Sequence, residues 1–241
     1  MDGFHYYNLF ETKGFEYILT IVFFLLLIPF WIMLNKKVKI TQQIGHALGT
    51  LSMKFVTMPR GVYHSPNHSW MHLLKSGKAR VGLSDLLLKI TGRILVVPLK
   101  AEGETVKKGE SLFEIRQGEK VMKIAAPITG KILHYSHADA ENLLLDPYGN
   151  GWLLEMIPSD WITETKEYFL ADATTGWAEK EIVRFKDFLV SSLSEHEPQL
   201  QPATLQDGGE LREHILEELP PAIWTDFESK FLPSISVAKE G

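Results

Sequence analysis

Residues 112–130, LFEIRQGEKVMKIAAPITG, hold the pattern that decides the fold. Apolar and polar residues alternate on both sides of Gly118-Glu119, and Gly at the first of two central positions is typical of a type II′ turn. With this dipeptide at the turn, Glu114 lies opposite Lys123 on one face. The other face then collects four apolar side chains, Phe113, Ile115, Met122 and Ile124. A one-residue shift of register would separate the charged pair and would mix apolar with polar side chains on each face. The stretch therefore predicts a half-buried antiparallel hairpin.

A five-residue motif recurs on either side of this hairpin. Thr91-Gly92-Arg93-Ile94-Leu95 returns as Thr129-Gly130-Lys131-Ile132-Leu133, and each copy opens an apolar strand after a glycine. This repeat indicates an internal duplication into two similar halves. Between the copies and around them, the sequence predicts one short helix at 83–90, N-capped by Ser84 or Asp85, and a turn at 146–151 before a closing strand at 152–157.

Composition limits the chemistry that the chain can perform. The chain has 241 residues, of which 45% are hydrophobic and 23% are charged, which is enough for one sizeable core and additional segments. It has no cysteine. Disulfides, thiolate metal sites, iron–sulfur ligation and a thiol nucleophile are therefore excluded.

Charge is distributed unevenly along the chain. Residues 36–163 contain 17 Lys and Arg against 11 Asp and Glu, whereas residues 164–241 contain 7 against 16. Either each part simply solvates its own surface, or the acidic part folds back on the basic one or meets a basic partner. The basic excess lacks interleaved aromatic residues, so we predict no nucleic-acid partner, and attraction to an anionic membrane leaflet explains the excess more simply.

The N-terminal region predicts a membrane anchor. Residues 17–34, YILTIVFFLLLIPFWIML, carry no charge, and a helix of this length nearly spans a bilayer core. We predict a transmembrane helix over 17–35 after a tail over 1–16. A cleaved signal peptide is disfavoured because the preceding residues are not basic and no small-residue cleavage site follows. The lysines at 36, 37 and 39 place the N-terminus outside and the main domain in the cytoplasm, which predicts a single-pass protein of the inner (cytoplasmic) membrane.

Two further segments flank the predicted β domain. Residues 36–60 form a juxtamembrane linker, whose helical spacing fits either an amphipathic helix on the membrane surface or a connecting helix packed on the domain. Residues 163–241 predict an acidic helical extension, with a helix from Gly176 to before Pro198 and a short one over 210–219. An aromatic stripe follows, and it predicts packing on the chain's own domain or anchoring in a partner's groove: Trp224, Phe227, Phe231 and Leu232.

Several motifs between Gly61 and Asp160 point to one family. They are HSW at 68–70, ARVGLSD at 79–85, GRILVVPLKAEGETVKKG at 92–109, APITG at 126–130, DPYGNGW at 146–152 and PSD at 158–160. In these motifs the chain resembles the lipoyl-carrying H protein of the glycine cleavage system. The resemblance implies a mainly β domain over 61–162, a barrel-sandwich hybrid of the lipoyl-domain type.

The resemblance also implies where a cofactor would be attached. In the family, the hairpin turn presents a lysine that is amidated to lipoic acid, ten residues after the Gly of a Gly-Glu-Ser step and eight before the Pro of an Ala-Pro step. Counting from Gly109 and from Pro127 leads both times to Glu119. The neighbouring Lys120 is the only nearby substitute, so we predict no cofactor, with lipoate on Lys120 as the alternative.

No other constellation indicates an active site or a small-molecule substrate. His64, His68 and His72 recur at helical spacing, but Pro66 interrupts the helix that a metal site of this kind needs, so we predict no metal site. The sequence therefore predicts a non-catalytic, membrane-anchored subunit that docks or assembles other subunits of a membrane-associated complex, redox complexes among them. The alternative is a lipoylated carrier, modified at Lys120, that shuttles an aminomethyl or acyl group.

Overall fold

The computed structural model describes residues 17–30, 56–196 and 213–232, which fall into two compact units, one within 1–43 and one within 44–241. The first unit contains helix α1, residues 17–30, whose apolar side chains are exposed. Within the described ranges, no helix is both long and apolar enough to cross a membrane. The rest of the predicted span, residues 31–35, the tail 1–16 and most of the predicted linker lie outside the described residues.

The second unit contains two β-sheets in its described part. One has six strands in the order β1-β2-β3-β9-β8-β5, and the other has three in the order β4-β6-β7. The mainly β prediction is thus confirmed. The strands are β1 Tyr63–His64, β2 Ser69–Leu73, β3 Ala79–Leu83, β4 Leu95–Pro98, β5 Thr105–Val106, β6 Ser111–Gln117, β7 Lys120–Ala125, β8 Gly130–Tyr135 and β9 Leu154–Pro158.

The predicted hairpin register is confirmed. Strands β6 and β7 pair Glu114 with Lys123, and the series ends with Gln117 opposite Lys120. Gly118 has a φ of 60°, while Glu119 keeps an ordinary negative φ, which is the combination that a type II′ turn requires. The apolar face is buried in the core, as the alternation predicts.

Two neighbouring turns have the same construction. Gly103, with a φ of 86°, donates its N–H to the Ile132 carbonyl, and Gly109, with a φ of 88°, donates to the Ala126 carbonyl. In each turn the glutamate after the glycine accepts a hydrogen bond from the backbone N–H three residues before it. Gly is needed at both places because L side chains rarely adopt this φ. The two copies of the repeat lead into β4 and β8, which lie in different sheets.

The short helix of the β domain, α2, runs over Asp85–Thr91. Ser84 is its N-cap, because the Ser84 side chain accepts from the Leu87 N–H, which decides between the two predicted caps. Asp85 instead accepts a hydrogen bond from the Thr57 N–H at 2.7 Å, which ties the entering chain to the domain. A further helix that the sequence analysis missed, α3, spans Ala140–Leu145, capped by Asp139.

The C-terminal extension is helical and packs on the β domain. It comprises α4 Trp161–Glu164, α5 Asp172–His196, α6 Ile215–Glu218, α7 Pro221–Asp226 and a π-helical turn over Phe227–Phe231. Helix α5 begins earlier than predicted, and α6 is shorter than the predicted 210–219, of which residues 210–212 lie outside the described ranges. The aromatic stripe is buried in one core with the hairpin, so the prediction that it packs on its own domain is confirmed.

Candidate functional site

The tip of the hairpin presents a carboxylate to solvent. Glu119 is the second central residue of the turn and is exposed. Within the part of the chain that the structure describes, no group forms a hydrogen bond or ion pair with its side chain. The sequence-predicted tip is therefore accessible, and it carries a negative charge.

Lys120, the first residue of β7, lies beneath the C-terminal helices. Its Nζ donates to the Leu216 carbonyl at 2.9 Å and to the Glu217 carbonyl at 2.6 Å. The same nitrogen lies 5.5 Å from the centroid of the Trp224 ring, within the range of a cation–π contact. Carbonyls at a helix C-terminus lack intrahelical partners, so Lys120 acts as a side-chain cap for α6.

This burial has an electrostatic consequence for Lys120. Removal from water disfavours the charged ammonium and lowers the pKa of Lys120, whereas the nearby Glu217 carboxylate partly opposes the shift. The ammonium still donates two of its three protons to the α6 carbonyls. Acylation at this nitrogen would require both loss of a proton and release from α6.

Other contacts hold the same helices on the β domain. Lys89 contributes twice: its Nζ lies 3.0 Å from Glu213 Oε1, and its carbonyl accepts the His214 N–H at 2.5 Å. On the hairpin, the Lys123 N–H donates to Glu228 Oε1 at 3.2 Å. At these points the C-terminal part folds back on the β domain, in the manner of one of the two alternatives for the charge distribution. We call the described residues 213–232 the C-terminal clamp.

A cavity of about 440 Å³ lies between the clamp and the hairpin. Its lining includes Asn67, Ser111, Lys123, Glu228 and Ser229. The Asn67 amide is held in place by a 2.8 Å bond to the Ala125 carbonyl. No local sequence pattern indicates this cavity, because its two walls are about one hundred residues apart along the chain and only packing brings them together.

The three spaced histidines do not share a site. His64 Nε2 lies 3.1 Å from the Tyr148 hydroxyl, His68 Nε2 lies 3.4 Å from Glu181 Oε2, and His72 is exposed on β2. His68 is buried and stacks on Phe231, with ring centroids 5.3 Å apart. His64 and His68 contact α5, and His68 also contacts the clamp, so these two buried histidines have a structural role.

The described residues bring a different set of potential ligands together. Glu195, His196 and Asp226 lie close enough to share a cation. The ammonium of Lys230 is already 2.9 Å from Glu195 Oε2 and 2.8 Å from Asp226 Oδ2. This cluster is an ion-pair network that links α5 to α7.

The buried His64 predicts a stability that depends on pH. Burial lowers the pKa of His64 to about 4, so the unfolded state binds its proton more tightly than the folded state below pH 6.5. Stability is therefore lost as the pH falls, and we expect the His64 contribution to decrease the free energy of unfolding by about 2 kcal/mol between pH 7 and pH 5. Burial shifts the pKa of His68 in the same direction.

Urea unfolding at both pH values measures this effect. His64→Gln should show a smaller decrease than the wild-type protein, whereas His72→Gln, on an exposed histidine, should match the wild type. Equal decreases in the wild type and in His64→Gln would contradict the prediction.

Two β-sheets, one of them with a hairpin whose two-residue turn is exposed, define a scaffold of the lipoyl-domain class. The profile of the family described as "Glycine cleavage H-protein" matches residues 62–180. A relative from Thermococcus gammatolerans, "Probable glycine cleavage system H protein", is 34% identical over 122 residues, which cover 49% of this chain and 90% of the relative. The chain belongs to the glycine cleavage H-protein family.

Two other similar proteins carry related names. The "Glycine cleavage system H protein" of Chlorobium chlorochromatii is 37% identical over 103 residues, covering 42% of this chain and 82% of that protein. A solved structure, a glycine cleavage system H protein from Mycobacterium marinum, is 28% identical with a TM-score of 0.44 and covers 50% of this chain and 98% of its own. The two relatives each match less than half of this chain, so its remaining residues lie outside the matched region.

Proposed function

We propose that this protein is a lipoate-free member of its family, a docking module that binds other subunits of a membrane-associated complex. The observation that carries the proposal is the state of the hairpin tip. A carboxylate occupies the exposed turn position, and the adjacent ammonium of Lys120 is bound to the clamp. A lipoyl group is attached through an amide to a lysine, and these residues do not fit such an attachment.

Motif spacing supports the same conclusion. Counted from Gly109 and from Pro127, the family's cofactor lysine falls on Glu119. A glutamate cannot form the amide, and Lys120 begins a strand rather than standing on the turn. Without the cofactor, the chain would keep the family's β domain and its accessible surfaces, which suit protein–protein binding.

Location at a membrane is the second part of the proposal. Its support is the uncharged stretch 17–34 followed by basic residues, of which residues 17–30 are helical with exposed apolar side chains. This anchor would hold the β domain on the cytoplasmic side of the inner membrane as a single-pass protein. A tethered domain suits a fixed subunit better than a carrier that must visit several enzymes.

A second candidate function is a lipoylated carrier modified at Lys120. The names of the relatives favour it, since the proteins from Thermococcus gammatolerans and Chlorobium chlorochromatii are both named as glycine cleavage system H proteins. In this candidate, the clamp would have to leave Lys120 before the cofactor is attached, and the arm would then carry an aminomethyl or acyl group.

The intact mass of the protein separates the two candidates. We expect the full chain, purified from the lipoate-replete cells that make it, to have the mass of the unmodified polypeptide. A lipoylated relative from the same cells serves as the control that attachment is active. A lipoyl mass increment on Lys120, located by peptide mapping, would overturn the docking proposal.

A further inference from the structure

The outward face of the six-stranded sheet is basic. Its four strands β2, β3, β9 and β8 and the turn between β2 and β3 contain four Lys or Arg and a single carboxylate, Glu155. We call the outward side chains on this side the basic face. Its exposed or partly exposed members surround the buried Glu155 carboxylate, and they are His72, Lys78, Arg80, Lys131, His134, Trp152 and Ile157. This side of the sheet thus accounts for part of the positive excess of residues 36–163.

Strand register explains how these residues meet. His72 pairs with Arg80, Arg80 with Glu155, and a bulge in β8 brings His134 opposite Glu155. Two residues further along β9, the outward-facing Ile157 pairs with Lys131 of β8. Alternation along each strand puts the intervening residues into the core, so one row of outward side chains runs across the four strands.

One carboxylate cannot neutralise the Lys and Arg side chains of this face. Arg80 Nε lies 2.9 Å from Glu155 Oε1, while Lys78 Nζ and His134 Nε2 lie 3.7 and 3.8 Å from Glu155 Oε2. Glu155 therefore holds three basic side chains in place and leaves the face with a net positive charge. The more distant Lys131 adds to it.

Apolar groups lie among these cations. The Arg80 guanidinium is 4.9 Å from the Trp152 ring, and the same indole makes an edge contact with His134 at 5.5 Å. Ile157, which pairs with Lys131, is 49% exposed. Lysine and arginine with an indole and an aliphatic side chain form the composition of surfaces that lie in the interfacial region of a membrane.

We propose that the basic face rests on the anionic lipid headgroups of the membrane that holds the chain, and so fixes the orientation of the β domain. This inference rests on the proposed membrane location. A basic face with an indole and an exposed aliphatic side chain suits a bilayer surface, and anionic leaflets attract basic clusters close to them. With this face against the lipid, the hairpin of the other sheet would lie at a fixed distance from the bilayer surface, where partner subunits can bind it.

The absence of cysteine makes a direct test possible, since one introduced cysteine is a unique labelling site. We use the full chain in lipid nanodiscs of phosphatidylcholine alone or with phosphatidylglycerol, with a spin label at Ile157→Cys or, for comparison, at Glu119→Cys. Collisions with a lipid-soluble and a water-soluble relaxation agent are measured for each label. In phosphatidylglycerol, the label at 157 should gain at least about fivefold in lipid-phase accessibility, and the label at 119 should not change.

Charge reversal supplies the matched control. Lys78→Glu with Lys131→Glu should abolish the gain at 157, whereas Lys107→Glu with Lys166→Glu, on exposed lysines elsewhere, changes the net charge equally and should preserve it. A protein that joins the nanodisc but shows no dependence on phosphatidylglycerol at 157 would overturn the basic-face proposal alone. Failure of the full chain to join either nanodisc would overturn the membrane location, and this inference with it.

Discussion

Glu119→Lys is expected to make the protein a substrate for a lipoyl-attaching enzyme, with the cofactor on residue 119 and none on Lys120. The type II′ turn presents position 119 in solvent at the tip of a paired hairpin, so a lysine there would be accessible. Lys120 would keep its bonds to the Leu216 and Glu217 carbonyls and would stay unreactive. The change in modification is expected to be from none to nearly complete.

Mass spectrometry of the intact chain and of its peptides measures this result after incubation with a competent lipoyl-attaching enzyme. The double variant Glu119→Lys with Lys120→Arg should be modified as fully as the single variant, and Lys120→Arg alone should be unmodified. If the single variant remained unmodified, or carried lipoate at residue 120, the assignment of position 119 as the attachment position would be wrong. Modification of the wild-type chain would instead favour the carrier function.

Trp224→Ala is expected to release the clamp from the hairpin. The Trp224 side chain is 1% exposed, its Nε1 donates to the Leu216 carbonyl at 2.8 Å, and its ring faces the Lys120 ammonium. Truncation of a buried tryptophan removes apolar contacts and leaves a cavity, so the free energy of unfolding should fall by about 3–5 kcal/mol. Lys120 should also become more reactive towards an amine-acylating reagent, because α6 no longer has a fixed position above it.

Urea unfolding and peptide mapping after acylation give the two readouts. Thr225→Ala, on the exposed side of the same helix, is the control and should change the free energy of unfolding by no more than about 0.5 kcal/mol. If Trp224→Ala lost stability while Lys120 remained protected, the clamp would be held over the hairpin by its other contacts. A loss below about 1 kcal/mol would show that Trp224 is not a core residue.

These two variants test two features of the hairpin, the residue at its turn and the clamp that lies over it. The first restores an attachment group at the accessible tip, and the second uncovers the lysine that lies beside it. Together they ask whether the residues at the turn or the clamp over the hairpin would prevent lipoate attachment. A docking module that retains the family's scaffold without its cofactor predicts that both features contribute.

Local sequence patterns were sufficient for the parts of the fold that depend on near neighbours. The hairpin register followed from alternation and from one opposite-charge pair, because a one-residue slip would bury Glu114 and expose Ile115. The matching turns at Gly103 and Gly109 share a Gly-Glu step and use it in the same way, since that chemistry closes within three residues. Helix α3 was missed, because its six residues are too few to show a periodic apolar pattern.

The sequence by itself determined the mainly β scaffold, the family, the turn at Gly118-Glu119 and the carboxylate at its tip. Only the tertiary structure decided that the Lys120 ammonium is bound to the clamp, because its partners Leu216 and Glu217 are 96 and 97 residues away along the chain. The same holds for the basic face, whose rows join strands from distant parts of the chain. Alternation and turn chemistry act between near neighbours, whereas the position of the clamp results from the burial of its aromatic stripe, which no local pattern specifies.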